Sequence, residues 1–237
     1  MKKLIAVIIF ICLTITSKAQ INEIGIMLGG SNYIGDIGPE YYINPKNFMG
    51  GIIYKWNMNP RIALRGTFTY ADISSNDADA SNSARKQRGI RFTNNIKELA
   101  VGVEFNYFDY NIDDFKKSQT PYILVELAAF NYNVVKSESP ANSKNYEYEN
   151  KTSFAIPFGI GYKTKLFTDF AIAFEIRARY TFEDDLDYNN FEIDPDTNNY
   201  KFESLTFGNP NSNDWYILTG ISIVYTFGRP PCYATPY

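Results

Sequence analysis

The sequence predicts an all-β protein, an eight-stranded antiparallel β-barrel that crosses an outer membrane. Three observations predict it. Polarity alternates with period two over segment after segment. The connections between those segments alternate short and long. Aromatic residues, with Tyr 19, Phe 18 and Trp 2, crowd the segment ends. A mean hydropathy of −0.28 in so aromatic a chain means that apolar residues are interleaved with polar ones rather than pooled.

The first element is an address. Met1-Lys2-Lys3 is basic, Leu4–Thr16 carries no charge, and Ser17-Lys18-Ala19 places small residues where a signal peptidase reads them. Residues 1–19 therefore read as a signal peptide cleaved before Gln20. The apolar stretch is shorter than the ~20 residues of a spanning helix. Ile11 is too bulky for lipoprotein processing at Cys12, so Cys232 is the cysteine left in the exported chain.

The barrel is expected over residues 20–227. Weaker alternation marks Glu23–Gly30 and Phe48–Met58 as the first and second strands. In the third, Ile62, Leu64, Gly66, Phe68 and Tyr70 alternate with Ala63, Arg65, Thr67 and Thr69. In the fourth, Leu99, Val101, Val103, Phe105 and Tyr107 alternate with Glu98, Ala100, Gly102, Glu104 and Asn106. Tyr122–Asn131 is the fifth. The sixth sets Phe154, Ile156, Phe158, Ile160 and Tyr162 against Ala155, Pro157, Gly159, Gly161 and Lys163. The seventh sets Phe170, Ile172, Phe174 and Ile176 against Ala171, Ala173, Glu175, Arg177 and Arg179. The eighth runs from Trp215 to Phe227. Each is long enough to span a bilayer at a tilt.

The connections Asn59–Arg61, Asp109–Thr120 and Thr164–Asp169 are short. Ser31–Asn47, Asp72–Asn95, Val134–Lys151 and Glu183–Asp214 are long. Strict alternation, with both chain ends on the short side, is the outer-membrane layout of short periplasmic turns and long external loops. Large apolar residues on one face suit lipid, while Gly, Ala, Ser, Thr and charges on the other suit a narrow lumen. Trp56, Tyr70, Tyr107, Tyr180, Trp215, Tyr225 and Phe227 lie where interfacial girdles belong.

This register points Glu23, Lys55, Arg65, Glu98, Glu104, Glu126, Lys163, Glu175, Arg177 and Arg179 inward, carboxylates and cations in equal number. In a lumen that excludes bulk water such charges must pair, and a paired plug leaves a barrel that conducts poorly. The basic stretch Ser81–Arg88 and the acidic stretch from Glu183 to Asp196 read as solvated loop. Asp194-x-Asp196-x-Asn198 begins like a calcium loop, but Asn199 replaces the turn glycine and Leu205 the bidentate glutamate.

Chemistry is constrained by absence. With no histidine, Ser-His-Asp and Cys-His catalysis and histidine-held metals are excluded. Lys+Arg 23 against Asp+Glu 26 gives −3, so no nucleic-acid footprint is present. No cofactor, metal, catalytic residue or small-molecule substrate is expected.

Residues 228–237 continue past the last strand as Gly-Arg-Pro-Pro-Cys-Tyr-Ala-Thr-Pro-Tyr. Proline removes ladder donors, so this tail leaves the sheet as an extended periplasmic strip. Arg229, Pro230, Pro231, Cys232 and Tyr233 are its candidate partner-binding residues. The ending Tyr225–Tyr233, the start Asn22–Ile26 and the glycine-rich Gly29–Gly38 resemble the PorG-like outer-membrane proteins of the type IX secretion system. The resemblance implies a structural, non-catalytic component that ties a periplasmic ring of PorK-like lipoprotein and PorN-like protein to the outer membrane. It also implies a role in protein secretion and, in gliding bacteria, motility. A stand-alone barrel for adhesion or membrane integrity and a narrow porin are the competing readings.

Overall fold

The structure, a computed structural model, describes residues 21–112, 118–138, 146–193, 201, 205–209 and 211–228. The expected signal peptide, the tail residues Arg229, Pro230, Pro231, Cys232 and Tyr233, and Asp194, Asp196 and Asn198 lie outside them.

Eight strands form one closed ring: β1 (Ile21–Ile34), β2 (Asn47–Asn57), β3 (Ile62–Asn76), β4 (Arg91–Asn106), β5 (Gln119–Glu138), β6 (Tyr146–Lys165), β7 (Phe170–Thr181) and β8 (Trp215–Phe227). Each pairs antiparallel with its neighbour in sequence. β1 closes on β8 from Asn22↔Phe227 to Ile34↔Trp215, so no edge is left open. Between β3 and β4 lie a 3-10 turn (Asp77–Asp79) and a helix, α1 (Ser83–Arg88).

The barrel wears its apolar surface outside. Ile26, Leu99, Leu127, Phe154 and Ile160 are 57, 61, 67, 68 and 64 % exposed. They belong to a belt of Ile, Leu, Val and Phe running around the strands. A contiguous apolar belt of this kind does not face water on a soluble monomer; it faces lipid. Tyr54, Tyr70, Tyr107, Tyr162 and Tyr225 lie near its rims. The chain is thus a transmembrane barrel of the outer-membrane type, with its short turns on the inner, periplasmic side.

Two expected loops prove to be partly strand. β3 and β4 stay paired as far as Asn76↔Arg91, and β5 and β6 as far as Glu138↔Tyr146. Above the membrane the outward residues become polar (Asp72, Ser74, Thr93, Asn95), so the contrast between faces that reveals a strand fades although the ladder continues. The turn after β4 departs in the other direction. It tucks beneath the barrel, with Tyr110 and Ile112 only 2 and 5 % exposed.

The inner face also departs from expectation. Its external half is an apolar core in which Met27, Met49, Ile53, Ile96, Phe130 and Tyr216 pack together. Large apolar side chains therefore fill the upper lumen, and the charges occupy the middle and lower part.

Candidate functional site

The residues that define this barrel line its interior. Glu23, Lys55, Arg65, Glu98, Glu104, Glu126, Lys163, Glu175, Arg177 and Arg179 all point inward and are between 0 and 2 % exposed. Period two places them there. Each stands on the same face as Gly, Ala or Thr neighbours, and those small residues make room. A Cβ on Gly102 would lie 2.1 Å from the Val125 carbonyl and 2.8 Å from Cγ of Glu126. One on Gly161 would strike the Tyr122 ring at 2.3 Å.

Glu104 is the hub of the lower cluster. It accepts Lys163 Nζ at 2.5 Å and Lys55 Nζ at 2.8 Å, with Arg65 Nη1 at 3.4 Å. Arg65 reaches across the lumen to Glu175 in a bidentate pair, both contacts 2.8 Å. Arg177 joins Glu175 at 2.9 Å and Glu126 at 3.3 Å. Arg179 forks onto Glu98 at 2.9 and 3.1 Å. The remaining carboxylate lone pairs take tyrosine protons: Tyr122 Oη donates to Glu175 at 2.7 Å and Tyr216 Oη to Glu98 at 2.7 Å. Bidentate geometry plus these extra donors is what a buried ion network needs to offset its desolvation cost.

Glu23 stands apart. Lys55 is its cross-strand neighbour, yet the Lys55 ammonium turns away to Glu104. Neither Glu23 oxygen has a hydrogen-bond partner among the described residues.

The lumen is shut at both ends. Below, the Tyr110 ring lies under Lys163, its centroid 4.4 Å from Nζ, and Tyr110 and Ile112 pack on Ala171 and Val224. The Tyr110 amide donates to the Pro60 carbonyl at 3.1 Å, and Lys165 Nζ donates to the Ile112 carbonyl at 2.9 Å. Above, Ile37 and Leu186 dip into the apolar core. The basic stretch expected to be solvated loop is instead the short helix α1. Asn82 caps its start, accepting from the Ala84 amide, and Gly89 ends it at φ 68°. From it Arg88 binds the fully buried Asp77 at 2.8 and 3.0 Å and donates to the Asp36 carbonyl at 2.7 Å. Burial pushes the Asp77 carboxyl up, but Arg88 and the amides of Gly38 and Ile90 outweigh it and hold the group below the ordinary range.

The first part of the acidic stretch, as far as Asp187, is likewise built in rather than solvated, whereas Glu192 is exposed. Asp187 and Asp214 meet the Tyr33 hydroxyl at 2.8 and 2.5 Å, and Tyr132 Oη donates to Asp185 at 2.5 Å. Burial, followed by repulsion from Asp36, Asp187 and Asp185, pushes Asp184 up to about 7. Burial pushes Asp187 up to about 6, against hydrogen bonds from the Asn189 amide and Tyr33.

Sequence reasoning assigned the aromatic excess to the lipid side and so missed the tyrosines within. Tyr216 lies on the even face of β8 with Gly220 and Ser222, a position that marks it as inward. Nothing in the alternation reveals the inner plug, because Tyr110 and Ile112 lie in a turn. Among the described residues no cluster of three or more Asp, Glu or Cys is placed to hold a metal.

Comparison adds a family. The model of a domain of unknown function, DUF6089, matches residues 2–236. No curated protein matches the sequence. Among solved structures, the chain is similar to the N-terminal β-barrel domain of Pseudomonas aeruginosa OprF, with 10 % identity, TM-score 0.46, and 89 % of this chain and 98 % of that one covered. Neisserial surface protein A shows 9 % identity and TM-score 0.46, with 89 % and 98 % covered. A major outer membrane protein of Thermus thermophilus shows 12 % and 0.44, with 89 % and 100 % covered. The membrane assignment rests on this barrel's own exterior.

Proposed function

The chain belongs to the DUF6089 family, and on that premise we propose that it is a non-conducting structural barrel of the outer membrane. Its task is to tie a periplasmic assembly to the membrane, as a component of a type IX secretion machinery.

The observation that carries the structural part is the sealed lumen. A channel needs a continuous wet path, and here an apolar core, an ion network and a tyrosine plug lie in series. The secretion part is supported by residues. The glycine-rich run that resembles PorG-like proteins builds the roof: Gly35 lies against the Tyr33 hydroxyl and Asp214, and Gly38 takes φ 79° to donate to Asp77 at 2.9 Å. Another resembling segment, Arg229 to Tyr233, continues the sequence past β8, whose end at Phe227 lies on the short-turn side, and is the segment proposed to meet PorK-like and PorN-like ring proteins. Cys232 either bridges to a partner there or is buried against one.

Affinity purification of the tagged protein from its own outer membrane, with mass spectrometry of the proteins retained with it, tests the proposal. Ring proteins should co-purify with the full chain and be lost when residues 228–237 are deleted, while the barrel still inserts. Their absence from the full-length sample would discard the secretion role. Large steady currents in planar bilayers would discard the sealed barrel and favour a porin.

A further inference from the structure

The connection between β1 and β2 contains an uncharged run, Tyr41-Tyr42-Ile43-Asn44-Pro45, bracketed by Glu40 and Lys46. Its three large apolar side chains, Tyr41, Tyr42 and Ile43, are 55, 74 and 57 % exposed. A contiguous group of this kind marks an interaction surface rather than a solvated loop.

The alternation of β1 shows where the run lies. Met27, Ser31 and Tyr33 face the lumen, while Ile24, Ile26 and Leu28 face outward and are exposed. Gly30 and Asn32 continue the outward row, yet both are covered by the run. Asn32 Nδ2 donates to the carbonyls of Tyr41 and Tyr42 at 3.0 and 3.3 Å, and its Oδ1 accepts from the Asn44 amide at 3.3 Å. A Cβ on Gly30 would lie 2.6 Å from Cβ of Pro45, so the absence of a side chain lets the run come this close. Residues 41–45 are therefore a strap folded down over the outer wall of the barrel. Ile217, the partner of Asn32 across the β1–β8 seam, also faces outward by alternation and is only 5 % exposed, so the wall is covered there too.

The seam also fixes the height of the strap. On its membrane side lies the pair Leu28↔Ile221, both exposed members of the apolar belt. On its external side lies Ile34↔Trp215, where the Trp215 ring meets Tyr180 at 5.0 Å and Phe158 at 6.0 Å. The strap crosses between them, over Gly30↔Thr219 and Asn32↔Ile217. This is the external edge of the belt, where a tyrosine can keep its ring in an apolar layer and its hydroxyl in a wet one. The bracketing charges are drawn away to the β3–β4 connection: Glu40 meets Arg85 at 3.2 Å and Lys46 meets Asp79 at 3.3 Å. We propose that the strap is a lipid anchor, with Tyr41, Tyr42 and Ile43 seated at the boundary between headgroups and acyl chains of the outer leaflet. Continuity with the apolar belt selects lipid as the occupant, because a protein docked on these side chains would itself have to enter the membrane. The inference is independent of the secretion role proposed above.

The test uses the folded full-length barrel carrying Cys232→Ser, in nanodiscs of dimyristoylphosphatidylcholine. Nitroxide labels are attached singly at Tyr42→Cys and Ile43→Cys, at Leu28→Cys in the belt, and at Glu149→Cys on the exposed external part of β6. Power-saturation EPR reads the accessibility of each label to oxygen, which concentrates in lipid, and to nickel ethylenediaminediacetate, which stays in water. The oxygen-to-nickel ratio at positions 42 and 43 should be several-fold higher than at 149 and approach that at 28. A ratio equal to that at 149 would put the strap in water and overturn the proposal. Labels shielded from both reagents would mean that another protein chain covers the strap, and would overturn it as well. Should one labelled variant fail to fold, as judged by mobility on unheated gels, the other decides.

Discussion

Glu104→Gln is the sharpest test of the lumen. One carboxylate there serves Lys163 at 2.5 Å, Lys55 at 2.8 Å and Arg65 at 3.4 Å, all at 2 % exposure or less. Glutamine keeps the volume and removes the charge, so the two ammonium groups lose the carboxylate they bond and keep Glu23 as the nearby anion. Arg65 retains Glu175 and Glu126 and suffers least. Breaking a buried pair costs about 3–5 kcal/mol, because the surviving charge is left uncompensated. With Glu23 left to offset part of the two charges, the lower end of that range is expected. The exposed pair Lys201–Glu192, at 3.1 Å and roughly half solvated, is the internal contrast; Glu192→Gln should cost less than about 1 kcal/mol. Guanidinium titration of the barrel in bilayers, followed by tryptophan fluorescence, measures both. A loss below about 1 kcal/mol for Glu104→Gln would mean that water screens the lumen and that the sealed interior is wrong.

Three further outcomes are expected. Gly161→Ala should cost about 1–3 kcal/mol by overpacking, since the new methyl meets the Tyr122 ring and dislodges its bond to Glu175; thermal unfolding on unheated gels reads this. Arg88→Gln leaves the buried Asp77 carboxylate without its ion pair and should loosen the roof without unfolding the barrel, so external protease should cut near residues 77–90 faster than in wild type. Stability should also fall as pH rises between about 4 and 7, then level off. Asp187 and Asp184, pushed up to about 6 and about 7, keep protons in the folded roof that the unfolded chain has already released. For the well-buried Asp187 this amounts to something on the order of 3 kcal/mol. Asp214→Asn should flatten the slope, because the single Tyr33 proton cannot satisfy two ionised carboxylates; a slope unchanged in that variant would refute the assignment.

How much was legible depended on contrast. Arg177 and Arg179 could be placed inside because each alternates with Ile176, Ala178 and Tyr180 on a face that otherwise reads as lipid-exposed. Asp72, Ser74 and Asn76 offered no such contrast, so the upper reaches of β3 and β4 read as loop although they remain paired. Helix α1 is too short for periodicity, and its cap Asn82 and stop Gly89 were the usable signals. The partners within the lumen were not legible at all. Alternation gives the face of Arg65 but not that its guanidinium crosses from β3 to Glu175 on β7, because that depends on shear and tilt. The same geometry leaves Glu23, beside Lys55, without a hydrogen-bond partner among the described residues.

Those crossing pairs bear on how the barrel is made. Lys55 on β2 meets Glu104 on β4, Lys163 on β6 meets the same group, and Arg179 on β7 meets Glu98 on β4. Although β7 keeps Glu175 beside Arg177, these three cations find their carboxylates on strands that are not their hairpin partners. Hairpins delivered singly into lipid would bring Lys55, Lys163 and Arg179 without the carboxylates they meet in the ring, at about 2–4 kcal/mol per basic side chain at mid-depth. The ring must therefore curl and neutralise itself before or while it enters the bilayer, which makes insertion a concerted event and its closing seam, β1 on β8, the step that commits the chain.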